Sequence, residues 1–160
     1  MEDFESALEA VLPRLRRFAH GLARNPADAD DLTQATAERA LRSRAQFQPG
    51  TSIVGWSMRI MRNLWIDTAR AKSRRDKVLA PAEQGETVGE EGAAESHVEL
   101  HYVMRALGHL PDEQREAVAL VMIEGLAYRE AAEVLDVPIG TLTSRLVRGR
   151  QALLGLLGEE

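Results

Sequence analysis

The chain contains no cysteine among its 160 residues. Disulfides, thiolate nucleophiles and cysteine-based zinc sites are therefore excluded together. Aromatic residues make up only 4% of the sequence, and no apolar run approaches the ~20 residues that span a bilayer. The N-terminus, MEDFESALEA, is acidic where a secretory signal peptide is basic and then apolar. These absences predict a cytoplasmic protein with no insertion into a membrane.

The formal net charge of −5 conceals a segregation of charge along the chain. Residues 1–77 hold 14 Lys and Arg against 10 Asp and Glu, residues 78–100 hold six Glu and no base, and residues 101–160 hold six Arg against nine acids. Two basic patches lie inside this acidic protein: Arg59–Lys77, with seven bases and two acids, and Val137–Arg150, with three arginines and no acid. Confined basic patches indicate local contacts with a polyanion, and a solvated helix surface is the alternative.

Helical periodicity dominates the sequence, and the alternation of a half-buried β-strand is nearly absent. Apolar residues recur at intervals of three and four across Phe4–Leu22, interrupted by Pro13, where a kink or two abutting helices are expected. A second helix follows, with Asp28 or Asp30 as its N-cap, and a third begins after the loop Phe47–Ser52.

Residues 78–96 lose this periodicity and are rich in Gly, Pro and Glu, which predicts a flexible acidic linker. Helical patterns resume beyond it, and the last two cover about Tyr128–Leu135 and Pro138–Leu157. We therefore predict an all-α protein made of two small helical domains, residues 1–77 and 97–160, joined by the linker.

A short helix, the tight turn DVPI and a second helix form the pattern of a helix-turn-helix. At about 100° per residue, the second helix has an apolar arc and a polar arc. The apolar arc consists of Ile139, Leu142, Leu146, Gly149 and Leu153. The polar arc consists of Thr143, Ser144, Val147, Arg148 and Gln151, with Thr141 at its edge and Arg145 and Arg150 on its flanks.

This polar arc fits the major groove of DNA. Arginine can pair bidentately with guanine, Thr and Ser can bond base edges or phosphates, and Val can pack on a thymine methyl group. Arg145 and Arg150 are better placed for phosphates or for ion pairs inside the protein. Because plain helical hairpins share the pattern, a purely structural helix is the alternative.

The basic patch Arg59–Lys77 belongs to an amphipathic helix. A stripe beside its apolar face consists of Arg59, Asn63, Ile66 and Arg70. Trp56 lies on the buried side, where core packing is expected, whereas Trp65 covers a second apolar seam or meets a base. A basic groove with an amide and aromatic side chains nearby is typical of single-stranded DNA binding, although amphipathic basic helices are common.

These segments resemble a known family, the extracytoplasmic-function (group 4) sigma factors of bacterial RNA polymerase, within the sigma-70 family. The polymerase-binding helix of that family is similar to DDLTQATAERAL, and its promoter-melting helix is similar to SIVGWSMRIMRNLWIDTAR. Its second domain is similar, almost position for position, to LPDEQREAVALVMIEGLAYREAAEVLDVPIGTLTSRLVRGRQAL. The resemblance covers nearly the whole chain except the linker.

The resemblance implies a sigma region 2-like domain and a sigma region 4-like helix-turn-helix domain, which direct promoter-specific transcription initiation. It also implies three partners, namely the polymerase core through its clamp helices and flap, promoter DNA, and an anti-sigma factor. By position, the residues that would face the clamp helices are Asp31, Leu32 and Gln34.

The same resemblance assigns two sets of DNA-binding residues. The set for the minus-ten element is Phe47, Arg59, Arg62, Asn63 and Arg70, with Asn63 and the loop Phe47–Ser52 holding a flipped base. The set for the minus-thirty-five element is Thr143, Ser144, Val147 and Arg148, which the helical wheel also selects, with Thr141, Arg145 and Arg150 beside it. One departure from the family is Ala127, which stands where a capping Ser is frequent.

Three other functions compete with this interpretation. A sigma-like decoy would sequester an anti-sigma factor without binding DNA. A dimeric helix-turn-helix regulator would leave the helix Arg59–Lys77 without a role. An enzyme is disfavoured because the sequence has no nucleophile elbow, glycine-rich phosphate loop or carboxylate-dense motif, and His97 and His101 have no third metal ligand at an evident spacing. We therefore predict no catalytic residue, metal or cofactor.

Overall fold

Apolar residues at helical spacing place one buried face on each of the first three helices. The computed structural model describes residues 3–23, 25–78 and 95–158. Within them, α1 (Phe4–Leu22), α2 (Pro26–Arg42) and α3 (Ile53–Val78) pack together, with a short 3-10 turn at Arg44–Gln46 before α3. α1 runs through Pro13 as one helix, so of the two alternatives expected there, two abutting helices is wrong. Pro13 is exposed, where water can bond the carbonyl that proline leaves unpaired.

The start of α2 is capped by Asn25, so the prediction of Asp28 or Asp30 is wrong. Asn25 Oδ1 accepts a hydrogen bond from the Asp28 backbone N–H at 2.8 Å. A residue before proline is held in extended conformation, and Asn25, with φ −137° and ψ 154°, precedes Pro26. That backbone geometry is what an N-cap requires. At the start of α3, Ser52 Oγ accepts a hydrogen bond from the Gly55 N–H at 3.1 Å and so caps that helix.

Four further helices form the second bundle. They are α4 (Glu95–Leu107), α5 (Asp112–Val118), α6 (Tyr128–Leu135) and α7 (Ile139–Gly158). α5 continues into a π-helical segment, Ala119–Ile123, and the chain then turns at Gly125 with φ +75°. Asp136 closes α6 in the left-handed conformation, φ 57°, which Asp tolerates better than most residues. The described residues therefore confirm the all-α prediction.

The two bundles pack directly on each other, which the sequence left open. α3 lies against α6, and α1 lies against α4, α5 and the π-helical segment. The approach is close at Gly21, where an added β-carbon would stand 3.4 Å from Ala119 Cβ. Residues 79–94, most of the predicted linker, lie outside the described residues.

Candidate nucleic-acid interface

The outer face of α7 is polar and open to solvent. Its exposed residues are Ser144, Val147, Arg148, Arg150 and Gln151, while Thr141, Thr143 and Arg145 are half-buried. Val147 is 49% exposed although it is apolar. Three inward leucines, Leu142, Leu146 and Leu153, are buried and fix this orientation of the helix. The predicted reading face is therefore presented outward.

Two residues of this face already have partners inside the protein. Thr143 Oγ1 donates to the backbone carbonyl four residues before it at 2.9 Å. Arg145 lies 3.7 Å from the Glu113 carboxylate of α5. By contrast, no acidic side chain of the described residues comes within ion-pairing distance of Arg148 or Arg150. The three arginines are thus not equivalent, and Arg148 and Arg150 are the ones available to an anion.

Ile139 departs from the prediction that it belongs to the buried arc. It is 51% exposed, although the wheel groups it with the inward leucines. Ile139 is the first residue of α7, whereas Gly149, ten residues later, packs closely against α5, where an added β-carbon would stand 2.8 Å from Val118 Cγ2. A helical wheel records direction around the axis but not which turns of the helix a neighbour covers.

A cleft in the first bundle contains Asn63. It encloses about 160 Å³ between α2, the 3-10 turn and α3, and its lining residues are Arg39, Ser43, Gln46, Trp56, Ile60, Asn63, Leu64 and Asp67. A cavity of about 150 Å³ holds a benzene ring, and this cleft is open to solvent, so the ring of one unstacked base can enter it from the open side. Arg39 supplies donors, Asp67 acceptors and the Asn63 amide both, while Trp56 and Ile60 supply apolar surface.

Phe47 contributes to this cleft indirectly, through an aromatic cluster with Phe4 and Trp56. The ring centroids of Phe47 and Trp56 are 5.2 Å apart, and Phe4 lies 5.7 Å from each of them. Arg44 covers the Phe4 ring at 5.4 Å and pairs with Glu5 at 3.0 Å. The start of α1 therefore supports the loop that borders the cleft. Trp56 is partly buried against the core, as expected, and Trp65 packs there too.

Two arginines predicted to follow the minus-ten DNA contact acidic or carbonyl groups of the second bundle. Arg62 donates to the Leu135 carbonyl at 3.2 Å and lies 3.4 Å from the Glu116 carboxylate. Arg59 lies 3.9 Å from the Asp136 carboxylate, with both side chains largely exposed. The side chain of the third, Arg70, is outside the described residues.

The three residues predicted to face the polymerase differ in how far they are buried. Asp31 and Gln34 are exposed on α2, but Leu32 is only 5% exposed and belongs to the core. At about 100° per residue, Asp31 and Gln34 share a face, whereas Leu32 points about 160° away from Gln34. The assignment of Leu32 to that surface is wrong, and its role is to hold α2 in the bundle.

Further charged side chains form hydrogen bonds between the two bundles. Glu124 is buried and accepts from Arg17 at 2.8 and 3.0 Å. Arg115, also buried, donates to the carbonyls of Gly21 at 3.0 Å and Leu22 at 3.2 Å, at the end of α1. Helix ends leave such carbonyls without intrahelical partners, so a side chain of the second bundle caps a helix of the first.

Two kinds of site are absent from the part of the chain that the structure describes. No three His, Asp or Glu side chains are grouped as ligands for a metal ion in residues 3–23, 25–78 and 95–158. In those same ranges, none of the helices combines the length and apolarity that crossing a bilayer requires.

The outward polar face of α7 and the separate cleft at Asn63 are thus the two candidate nucleic-acid surfaces of this all-α protein. Comparisons with known proteins identify its family. The model of Sigma-70 region 2 matches residues 7–75, and that of Sigma-70, region 4 matches residues 100–153. The chain belongs to the sigma-70 family and, within it, to the ECF RNA polymerase sigma factors, a family that directs transcription initiation at promoters.

Individual relatives show how far the similarity extends. The ECF RNA polymerase sigma factor EcfG of Rhodopseudomonas palustris is 38% identical over 92% of this chain and 81% of its own length. SigE of Mycolicibacterium smegmatis is 36% identical over 99% of this chain, which spans 63% of that relative. The sigma factor RpoE of Bartonella quintana, solved with the anti-sigma factor NepR, has a TM-score of 0.90 at 32% identity, covering 100% of this chain and 99% of that one.

Sequence reasoning missed several residues that the structure brings to these surfaces. Arg39 of α2 and Ser43, the residue that follows α2, lie beside Asn63 of α3 in the cleft. Glu116 meets Arg62 from a different bundle. No spacing pattern could have found them, because each partner lies on a separate helix. The one available indication for Glu116 was an acidic residue in an otherwise apolar segment, EAVALVMI.

Proposed function

We propose that this chain binds the core of RNA polymerase in the cytoplasm and selects promoters with two separate DNA-binding surfaces, without enzymatic activity of its own. The outer face of α7 reads the minus-thirty-five element. The cleft at Asn63 takes one base flipped out of the minus-ten element. An anti-sigma factor is the expected regulator, since the structural relative RpoE was solved with one.

On α7, the proposal assigns different roles to different residues. Arg148, Ser144 and Val147 are exposed and contact bases, because arginine, hydroxyl and methyl groups each match a feature of the major groove. Arg150 contacts phosphate. Arg145, already paired with Glu113, orients the helix rather than reading sequence.

In the cleft, Asn63 bonds the edge of the flipped base and Trp56 provides an apolar wall. Arg39 and Asp67 lie in the same cleft and set which base is accepted, because one supplies donors and the other acceptors. On α2, Asp31 and Gln34 are exposed and contact the polymerase.

The observation that carries the proposal is the exposed, acid-free face at Arg148 and Arg150. Run-off transcription with core polymerase on a library of genomic fragments tests it. Arg148→Ala should abolish promoter selection while core binding persists, and Arg105→Ala, which removes an exposed arginine of α4, should change neither. Core binding without any promoter selection by the unaltered chain would favour the decoy function and reject the proposal.

The cleft is tested separately by permanganate footprinting, which detects unpaired thymines. Asn63→Ala should reduce duplex opening more than it reduces closed-complex formation. Equal footprints for the variant and the unaltered chain would reject the base-binding role of Asn63.

A further inference from the structure

The loop that borders the cleft at Asn63 is attached to the rest of the first bundle by few groups. Residues 48–52 are all exposed. In the described part of the chain, each hydrogen bond of residues 46–52 joins groups no more than four residues apart, as in the 3.1 Å bond from the Thr51 N–H to the Gln48 carbonyl. These local bonds fix the shape of the loop and its junction with α3, but not its position against α1.

Two side chains at the start of this segment, Arg44 and Phe47, reach the first turn of α1. The Phe47 ring centroid lies 5.7 Å from that of Phe4, with an interplanar angle of 60°. The Arg44 guanidinium lies 5.4 Å from the Phe4 ring centroid, within the ~6 Å range of a cation–π contact, and donates to Glu5 at 3.0 Å. The position of the loop against α1 therefore depends on Phe4 and Glu5.

Phe4 also contacts the wall of the cleft. The Trp56 ring, which lines the cleft, meets the Phe4 ring edge-on, with centroids 5.7 Å apart and an interplanar angle of 84°. Phe4 itself is not among the described residues that line the cleft, so it acts on a bound base only through its neighbours. The first turn of α1 is held by its cap, because Asp3 Oδ1 accepts from the Ser6 N–H at 2.7 Å. One side chain therefore supports both the loop and the wall of the cleft.

We infer that Phe4 is a positioning residue for the cleft at Asn63, and that it sets how strictly this cleft discriminates between bases by holding the Phe47 loop and the Trp56 wall at a fixed spacing. The inference rests on the base-binding role proposed for the cleft. Selection by hydrogen bonds requires the bonding groups to be held within about 0.5 Å of the productive geometry. Loss of the Phe4 ring therefore lowers the selectivity of the cleft even where the chain stays folded.

Selectivity is measured with the full chain bound to core polymerase, by run-off transcription from promoters that compete in one reaction. At each position of the minus-ten element, four templates carry the four bases, and the selectivity is the yield from the best base divided by the mean yield from the other three. Phe4→Ala should lower this ratio about threefold to tenfold, which is the effect of losing one or two aromatic pairs. The loss should occur at the same position at which Asn63→Ala lowers the ratio.

Three further variants separate positioning from stability. Phe4→Tyr keeps the ring and should keep the selectivity. Phe4→Leu keeps most of the apolar volume, so it should fold even if Phe4→Ala does not, and it should still lower the selectivity because the ring contacts are lost. Val11→Ala removes a buried side chain two helical turns further along α1. It should lower the thermal stability of the chain without changing the selectivity.

The position of the loop is measured separately in the free chain. Because the sequence has no cysteine, a spin label attaches specifically at Gln48→Cys, an exposed position of the loop. Phe4→Ala and Phe4→Leu should give a line shape of faster motion than the otherwise unaltered chain. Phe4→Tyr and Val11→Ala should leave the line shape unchanged.

Failure of the inference and failure of the proposed function give different results. If Asn63→Ala changes the selectivity at no position of the minus-ten element, the base-binding role of the cleft is overturned. If Asn63→Ala lowers the selectivity but Phe4→Ala and Phe4→Leu do not, only the inference is overturned. An equal loss in Val11→Ala, or an unchanged line shape in both Phe4→Ala and Phe4→Leu, also overturns it, because Phe4 would then act through stability alone.

Discussion

Glu124→Ala should weaken the contact between the bundles and lower the stability of the whole chain. The Glu124 side chain has no exposed surface and accepts from Arg17 at 2.8 and 3.0 Å and from Arg14 at 3.5 Å. The pKa of Arg17 is raised, chiefly by its hydrogen bond to Glu124, which agrees with this geometry. The alanine variant removes all three bonds at once.

The size of the loss in the free energy of unfolding depends on how exposed the two arginine partners of Glu124 are. Breaking a fully buried pair by removing one partner costs about 3–5 kcal/mol, because the other charge stays buried. The side chains of Arg14 and Arg17 are 37% and 38% exposed, so both regain water and the penalty is smaller. We expect a loss of about 1–2 kcal/mol in the free energy of unfolding. For a chain of this size, that lowers Tm by roughly 2–8 °C.

Calorimetry of the full chain measures this loss, and a double-mutant cycle with Arg17→Ala isolates the pair. Glu113→Ala is the matched control, since Glu113 is 69% exposed and 3.7 Å from Arg145, and it should cost less than about 0.5 kcal/mol. The reasoning is refuted if Glu124→Ala costs no more than this control, or if the cycle gives no coupling between Glu124 and Arg17.

Three further predictions concern single positions. Gly149→Ala should destabilise the second bundle by about 1–3 kcal/mol in thermal melts, because its β-carbon would stand 2.8 Å from Val118 Cγ2. The control is Gly155→Ala. Its β-carbon would face open space, so this variant should be neutral or stabilising in the same melts. Ala127→Ser should add about 1 kcal/mol to the free energy of unfolding in denaturant titrations, because α6 lacks a side-chain cap; no gain would contradict the role of this residue as N-cap. The pKa of Glu116 is raised above 4.5, first by burial and against the lowering effect of its arginine partner. Protonated Glu116 therefore contributes stability that is complete below the unfolded pKa and is lost as pH rises through the raised folded pKa. The chain should lose stability relative to Glu116→Gln as pH rises above 4.5, and parallel pH profiles of the two chains would contradict this.

The features that sequence reasoning predicted correctly are those that depend on local spacing. The bounds of α6, Tyr128–Leu135, agree with the periodicity of the sequence. The outward face of α7 follows from the helical repeat, because alternating apolar and polar positions decide which side a helix buries. Two of the wrong predictions, Leu32 on the polymerase-facing surface and Ile139 in the core, concern burial, which depends on which turns of a helix its neighbours cover.

The sequence by itself determined the all-α class, the helix-turn-helix and the polar, basic outer face of α7, because these depend on residues within a few turns of one another. Only the tertiary structure decided that Arg39 lies with Asn63 in one cleft. It also decided that Arg62 meets Glu116, 54 residues away, and that Arg17 meets Glu124, 107 residues away. These pairings depend on which helical faces meet across the two bundles, and no periodicity within a single helix records that choice.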